Sequence, residues 1–199
     1  MITVVDYGMG NLHSLCKALD YLGFYSMVTE DPMVVENAEK IILPGVGAFG
    51  MAMDRLNEKG MTEAIRAAAS KGTSVLGICL GMQLLFSSSS EYGCTEGLGL
   101  IDGEIGLLKC ADKIPHMGWN TLETRIKTPL LEGADGGWVY FVHSYCAPDA
   151  DAAYAAGVTD YGGRFCSVAV RDNVYGTQFH PEKSGETGLR ILANFAAMR

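Results

Sequence analysis

A cysteine between two glycines, in the segment Gly77-Ile78-Cys79-Leu80-Gly81, carries the strongest chemical signal in this sequence. The segment has the form Gly-x-nucleophile-x-Gly and joins an apolar run to a helical pattern. Glycines on either side allow the strained turn that exposes a nucleophile at the end of a strand. The start of the following helix favours the thiolate of Cys79, and the Leu80 amide can point at a developing oxyanion. A buried structural cysteine is the alternative interpretation.

A base and an acid stand two residues apart in Phe179-His180-Pro181-Glu182. Side chains two apart share one side of an extended segment, and Pro181 favours extended geometry at His180. One ring nitrogen of His180 can then face Glu182 while the other faces Cys79, so the pattern predicts a Cys-His-Glu triad. Taken singly, His180 is typical of a strand end and Glu182 of a first helical turn. Their joint occurrence with the Cys79 turn favours catalysis.

The remaining histidines are weaker candidates for a base. His13 falls on a predicted helix, whereas His116 and His143 fall in turn-rich segments. The chain order Cys, His, Glu also differs from the Ser, Asp, His order of α/β-hydrolases, which argues against that class.

Apolar runs alternate with helical patterns through the first half of the chain. Strands are predicted at 2–7, 24–29, 40–44 and 74–78, and helices at 11–22, 48–57, 61–70 and from Cys79 through 86. This alternation is typical of a doubly wound α/β sheet. Residues 87–90 read as a short polar loop, and 97–171 as mixed short strands that include one at 137–142. A hairpin at 166–171 and 174–179 and a helix at 185–198 complete one predicted domain, 1–199.

Composition narrows the classes of function. The 199 residues are 48% hydrophobic, and the net charge of −8 argues against nucleic acid or an anionic membrane as partner. No run is long enough for a membrane helix, and the N-terminus lacks the basic start of a signal peptide. The six cysteines form no CxxC pair, so we expect neither a metal site nor disulfides, but reduced thiols in a cytoplasmic protein. They lie at positions 16, 79, 94, 110, 146 and 166. The five other than Cys79 are expected to be packing or surface residues.

The motifs together resemble the class I, or triad, glutamine amidotransferase family, over nearly the whole chain. The turn from Gly77 to Gln83 and the segment from Phe179 to Glu182 carry this resemblance. Further segments are similar to the glutaminase subunits of imidazole glycerol phosphate synthase, an enzyme of histidine biosynthesis; they span 6–11, 43–49, 114–120, 140–145 and 180–185. The resemblance implies a single-domain, flavodoxin-like three-layer α/β fold with a mixed, mostly parallel central sheet.

A reaction and a partner follow from this resemblance. Cys79 would attack the side-chain amide of L-glutamine, His180 would protonate the departing ammonia, and water would hydrolyse the glutamyl thioester. Glu182 would hold His180, and no cofactor is expected. The ammonia would pass to a partner cyclase subunit, a (β/α)8 barrel in a heterodimer with this chain. That cyclase makes imidazole glycerol phosphate and aminoimidazole-carboxamide ribonucleotide.

The resemblance also implies which residues bind the substrate. Gln83, one helical turn after Cys79, would face the same mouth and contact the glutamine. Glu91 matches an acid that holds the α-amino group. Ser144 and Tyr145 match contacts to the α-carboxylate. Taken alone, each of these residues also fits an ordinary surface or packing role.

A glycine-rich loop, Pro44-Gly45-Val46-Gly47, matches the second oxyanion donor of the family, which would be the Val46 amide. Gly45 and Gly47 would contribute to substrate binding, and they would let the peptide between them reorient. Such reorientation would keep the lone subunit poorly active until the cyclase docks. A simple tight turn is the alternative.

Five residues match positions near the cyclase interface, with core packing as the alternative role. Aromatic residues are enriched in interface cores, so the two aromatic members are the expected anchors. The five are Asn11, Met117, Trp119, Tyr140 and Lys183.

Several competing functions remain open at this point. One is the glutaminase of another pathway, serving anthranilate, pyridoxal phosphate or guanylate synthesis, although 6–11 and 116–120 argue against it. A free-standing γ-glutamyl hydrolase would need no partner and no interface aromatics. An inactive regulatory module would have lost part of the triad, and a thiol sensor would lack the His-Pro-Glu segment.

Overall fold

The structure is a computed structural model that describes residues 1–109 and 113–198. Cys110, predicted to be a packing or surface thiol, lies outside the described residues. The six helices within these ranges are α1 (Leu12–Tyr21), α2 (Pro32–Glu36), α3 (Phe49–Glu58), α4 (Met61–Ser70), α5 (Leu80–Leu84) and α6 (Gly185–Ala197). Short 3-10 helices span Pro129–Leu131 and Pro181–Lys183.

The strands follow the predicted alternation with helices in the first half of the chain and are more numerous in the second half. The first half holds β1 (Ile2–Val5), β2 (Ser26–Thr29), β3 (Lys40–Gly45), β4 (Ser74–Cys79), β5 (Phe86–Ser89) and β6 (Thr95–Glu96). The second half holds β7 (Ile101–Leu107), β8 (His116–Thr121), β9 (Glu123–Thr124), β10 (Trp138–His143), β11 (Tyr145–Cys146), β12 (Ala155–Asp160), β13 (Arg164–Arg171) and β14 (Val174–Thr177).

The central sheet runs in the order β2-β1-β3-β4-β14-β13-β12-β9. The pairings from β2 through β14 are parallel, and those from β14 through β9 are antiparallel. The predicted mixed sheet with a parallel majority is therefore confirmed, with four parallel pairings among the seven that join the described strands. Two smaller sheets, β10-β8 and β11-β7-β5-β6, lie outside it.

Helices cover both faces of the sheet, which gives the predicted three layers. Successive strand residues face opposite sides, so Ile41 packs in one core and Ile42 in the other. One core includes residues of α3, α4 and α5, and the other includes residues of α1 and α6. Near-continuous burial of β1, β3 and β4 is what a two-sided parallel sheet requires.

Some predicted elements are wrong in extent or type. The helix after Cys79 ends at Leu84 rather than 86, and the supposed polar loop belongs largely to β5, which pairs with β6 and β7. Residues 178 and 179 follow β14 rather than extending it. The sequence interpretation also missed α2, which Asp31 caps by accepting a hydrogen bond from the Met33 amide. A helix of only five residues gives too short a periodic pattern to be recognised.

The carboxyl ends of the parallel strands meet at one edge, where α/β proteins place their sites. Gly45 at the end of β3 pairs with Cys79 at the end of β4. The segment after β14 leads to His180. None of the helices in the described ranges is long and apolar enough to span a bilayer.

Candidate active site

Cys79 occupies a strained turn between β4 and α5. Its backbone has φ 55° and ψ −111°, a conformation that residues with a side chain rarely adopt. A Cβ at Gly81 would lie 1.8 Å from the Leu43 carbonyl oxygen, and one at Gly77 would lie 2.5 Å from the Gly81 oxygen. Both positions therefore require glycine, and the strained turn predicted from the sequence is confirmed.

The helix that follows is short. It has five residues, and Leu80 is the first of them. The N–H of a first helical residue has no acceptor within its own helix, which leaves the Leu80 amide available to a ligand.

His180 and Glu182 form a buried hydrogen-bonded pair. His180 Nδ1 lies 2.9 Å from Glu182 Oε1, and both side chains are 3% exposed. Because the carboxylate can only accept, Nδ1 carries the hydrogen in this pair. The His180 backbone N–H donates to the Tyr140 carbonyl at 3.0 Å. The Ser184 hydroxyl donates to the His180 carbonyl at 2.6 Å. One hydrogen bond thus holds the imidazole ring of His180, and two more hold its backbone.

The charge state of His180 depends on its two neighbours. Burial alone would lower its pKa, but the Cys79 side chain and the Glu182 carboxylate outweigh burial and raise the pKa to about 10. Among the described residues, Nε2 is buried and has no hydrogen-bond partner. The second ring nitrogen is thus available to the thiol and to a ligand.

A chain of side-chain amides, which sequence reasoning missed, reaches the cysteine. Gln178 Nε2 lies 3.9 Å from Cys79 Sγ, and Gln178 Oε1 accepts from Gln83 Nε2 at 3.1 Å. Gln83 Nε2 also donates to the Tyr145 carbonyl at 2.8 Å. The sequence did contain a signal for Gln178. This residue stands two positions before His180, so the two side chains point to the same side of an extended segment.

A cavity of about 320 Å³ opens over Cys79, within the size range of small-molecule sites. It brings together most residues that the sequence singled out, with Val142 and His143 in addition. Its walls are Val46, Gly47, Cys79, Leu80, Gln83, Glu91, Val142, His143, Ser144, Tyr145 and His180. Gly45 lines a smaller neighbouring cavity instead, together with Asn11, His180 and Glu182.

A second cavity of about 610 Å³ lies between Thr124 and Asp135. The described residues that line it include no cysteine or histidine. Despite its greater volume, it therefore lacks a nucleophile and a base.

Glu91 is bound to the start of α3. Its Oε2 accepts the backbone N–H of Phe49, the first residue of that helix, at 2.7 Å. Because α3 begins two residues after Gly47, Glu91 ties the wall of the cavity to the glycine-rich loop.

The Val46 amide, predicted to be an oxyanion donor, is engaged elsewhere. Its N–H donates to the Met9 carbonyl at 3.2 Å. Gly47 beside it has φ 105°, which favours glycine, whereas Val46 itself is 43% exposed. In this conformation the Val46 N–H points at Met9 and does not donate to a ligand in the cavity over Cys79.

His116 and His143, which fall in segments predicted to be turn-rich, are buried strand residues that face each other on β8 and β10. His143 Nδ1 lies 2.9 Å from the Tyr145 carbonyl and must donate to it. In a neutral ring Nε2 then accepts from His116 Nδ1, at 3.1 Å. Burial is the largest cause that lowers the pKa of His143, to about 3, and it outweighs the Tyr145 bond.

The family model for glutamine amidotransferase class-I matches residues 3–198. This chain belongs to the class I glutamine amidotransferase family. It is 50% identical, over all of its length and 98% of the relative's, to the imidazole glycerol phosphate synthase subunit HisH of Caldanaerobacter subterraneus subsp. tengcongensis. It is 47% identical to the subunit of the same name from Syntrophotalea carbinolica, with both chains covered completely.

Solved structures agree with the class I amidotransferase fold. A crystal structure of a glutamine amidotransferase superposes with a TM-score of 0.78 at 17% identity, with both chains covered completely. The PurLQS structure from Thermotoga maritima gives 0.76 at 21% identity, over 98% of this chain and 96% of that one. At such identities the likeness supports the fold alone.

The residues predicted to touch a partner lie at the surface of this amidotransferase fold. Trp119 and Tyr140 stand opposite each other on β8 and β10, with ring centroids 5.9 Å apart. Met117 and Trp119 are 61% and 53% exposed. Lys183 is exposed in the turn after His180, and Asn11 precedes α1.

Proposed function

We propose that this chain is the glutaminase subunit of an imidazole glycerol phosphate synthase, in which residues 1–199 act as one glutamine amidotransferase domain. The observation that carries the proposal is full-length similarity to subunits of that name, combined with a Cys-His-Glu set around one cavity. We further propose a cytoplasmic location, which is consistent with the free thiols of the cysteines in the described residues.

Catalysis begins with the Cys79 thiolate and the His180 imidazolium, a pairing that the raised pKa of His180 favours. The sulfur attacks the δ-carbon of L-glutamine, and the carbonyl electrons move onto oxygen. His180 gives its proton to the amide nitrogen, the C–N bond breaks and ammonia leaves, so that a glutamyl thioester remains. Water, deprotonated by His180, then hydrolyses the thioester to glutamate and restores the thiolate. Glu182 holds the ring through its 2.9 Å hydrogen bond.

The substrate is held at its α-substituents, away from the reacting amide. Glu91 receives the α-amino group, while Ser144 and Tyr145 bind the α-carboxylate. Gln83 positions Tyr145 through the 2.8 Å bond to its carbonyl. All four residues line the cavity over Cys79, which supports these roles.

The ammonia is used by a cyclase subunit, which we propose is a (β/α)8 barrel in a heterodimer with this chain. Asn11, Met117, Trp119, Tyr140 and Lys183 form the docking surface. The Tyr140 carbonyl accepts the His180 N–H at 3.0 Å, so this surface touches the backbone of the catalytic base directly. Asn11 lines a small cavity with His180 and Glu182, on the side from which ammonia would leave.

The oxyanion is stabilised by the Leu80 amide and, after a rearrangement, by the Val46 amide. In the resting conformation the Met9 carbonyl holds the Val46 N–H. We propose that docking of the cyclase turns the Gly45–Val46 peptide, so that the isolated chain hydrolyses glutamine slowly. The flanking glycines support this proposal, because they tolerate both arrangements.

Glutamate production by the purified chain, alone and with a cognate cyclase subunit plus its nucleotide ligand, tests the proposal. Cys79→Ala runs in parallel, with Cys94→Ala as the matched control because Cys94 is an exposed free thiol. We expect strong stimulation by the cyclase, no activity in Cys79→Ala, and normal activity in Cys94→Ala. A chain that is fully active alone and ignores the cyclase is a free-standing hydrolase. Activity in Cys79→Ala would show that the triad is wrong.

A further inference from the structure

Tyr7 is a buried residue whose hydroxyl has no partner. The side chain follows β1 and the residue is 1% exposed. Among the described residues, its Oη has no hydrogen-bond partner. Burying a hydroxyl without a partner is unfavourable, and most buried polar groups are therefore paired. A buried hydroxyl that stays unpaired in this position is therefore a candidate for a functional role.

The hydroxyl lies against the glycine-rich loop. A Cβ on Gly45 would stand 2.5 Å from Tyr7 Oη, so only glycine allows this approach. Gly45 contributes the carbonyl of the peptide whose N–H belongs to Val46. Burial raises the pKa of Tyr7, and the nearby Cys79 side chain raises it further. The phenol therefore stays protonated and can donate.

The geometry of one peptide bond links these observations. In a trans peptide the C=O and N–H point in opposite directions. Because the Val46 N–H now points at the Met9 carbonyl, the Gly45 carbonyl points away from it. Turning the N–H toward the substrate brings the Gly45 carbonyl to the Met9 side. The carbonyl oxygens of Gly45 and Met9 would then face each other, and neither can donate a hydrogen bond to the other.

We propose that Tyr7 is a positioning residue whose hydroxyl donates to the Gly45 carbonyl once the Gly45–Val46 peptide has turned its N–H toward the substrate. This proposal rests on the proposed function and extends it by naming what stabilises the active loop. The hydroxyl supplies the donor that the turned peptide needs. In the resting conformation it has no acceptor, which accounts for its orphaned state.

Tyr7→Phe removes the hydroxyl and keeps the ring. We expect the cyclase-stimulated kcat to fall about 2- to 12-fold, the range of one neutral hydrogen bond. The basal kcat, the KM for glutamine and the unfolding temperature should stay at or above the wild-type values, because the resting conformation loses no bond. Tyr25→Phe, at a residue 72% exposed, is the matched control and should change nothing.

The outcomes separate this proposal from the proposed function. An unchanged stimulated kcat in Tyr7→Phe would overturn the role of Tyr7, and so would an equal fall in basal and stimulated kcat, which indicates simple packing. Loss of stimulation in the wild type would instead overturn the proposed function.

A crystal structure of the complex, with a γ-aldehyde analogue of glutamine bound to Cys79 as a thiohemiacetal, gives a second readout. We expect Tyr7 Oη within about 3 Å of the Gly45 oxygen. A separation above about 4 Å would contradict the proposal, since no hydrogen bond spans it.

Discussion

His180 and Glu182 already share a 2.9 Å hydrogen bond, whereas the Val46 N–H in the glycine-rich loop is bonded to the Met9 carbonyl. The base side, His180 with Glu182, is buried and fixed through Tyr140 and Ser184. The oxyanion side, the loop from Pro44 to Gly47, carries an exposed Val46 between two glycines. From this difference we propose that the oxyanion side controls the activity, because the His180–Glu182 pair is already formed whereas the Val46 N–H must turn.

Removing the base should affect both states of the enzyme equally. We expect His180→Asn to lower glutamine hydrolysis by roughly 10²- to 10⁴-fold, the range for a positioned acid-base group. The fold-stimulation by the cyclase should be unchanged, since the base is already in place without it. Steady-state rates with and without the cyclase test this. His13→Asn, at an exposed helical position, is the control, and a selective loss of stimulation in His180→Asn would contradict the comparison.

Removing the Val46 N–H should affect only the stimulated state. In Val46→Pro the backbone donor is missing, and we expect the stimulated kcat to fall by roughly 10²- to 10³-fold, the range for one oxyanion donor. The basal rate should change far less, because the resting N–H is held by Met9. Val46→Ala keeps the N–H and is the matched control. Equal losses in the basal and stimulated rates would show that the oxyanion side is already formed.

The sequence predicted the base side better than the oxyanion side for a physical reason. The Cys79 turn and the His-Pro-Glu segment are local patterns whose geometry follows from neighbouring residues. The bond from Val46 to Met9 joins residues that are distant in the chain, and no spacing rule indicates it. The family resemblance indicated the loop and predicted a function for it, but the direction of one peptide depends on tertiary contacts.

The same limit applies to other parts of the molecule. The parallel core of the sheet was predicted from apolar runs, which are strong signals in doubly buried strands. The serine-rich β5 was missed because its polar sequence resembles a loop, although β7 and β6 pair with it. The pairing of His116 with His143 follows from the register of β8 and β10, which single-residue patterns do not reveal.

The docking surface should act on affinity rather than on chemistry. Trp119 is 53% exposed and packs on Tyr140, so we expect Trp119→Ala to raise the Kd for the cyclase by about 30-fold, as for an interface hot spot of about 2 kcal/mol. Tyr25→Ala is the control, since Tyr25 is an exposed aromatic residue just before β2 and is not part of the docking surface. Binding is measured by titration calorimetry, and stimulated kcat at saturating cyclase should remain near wild type. An unchanged Kd would remove Trp119 from the interface.

The smallest expected effect is on the pH dependence of stability, and it distinguishes the two histidines that line the cavity over Cys79. His180 has its pKa raised to about 10, so its contribution to stability is full below pH 6.5 and is lost as the pH rises toward 10. Burial lowers the pKa of His143 to about 3, so below pH 6.5 the unfolded chain binds a proton that the folded chain does not. Stability should therefore fall on acidification because of His143, and not because of His180.

His143→Gln removes the contribution of His143 and leaves that of His180 in place. Between pH 7.5 and pH 5, we expect the wild type to lose about 1–2 kcal/mol more unfolding free energy than the variant. Urea unfolding at pH 5, 6 and 7.5 measures this difference. His13→Gln provides a control at an exposed histidine and should follow the wild-type pH dependence. Parallel curves for His143→Gln and the wild type would mean that His143 takes up a proton in the folded state. The Tyr145 carbonyl would then be held by a charged ring, and the base side of the cavity would be less preorganised than its geometry indicates.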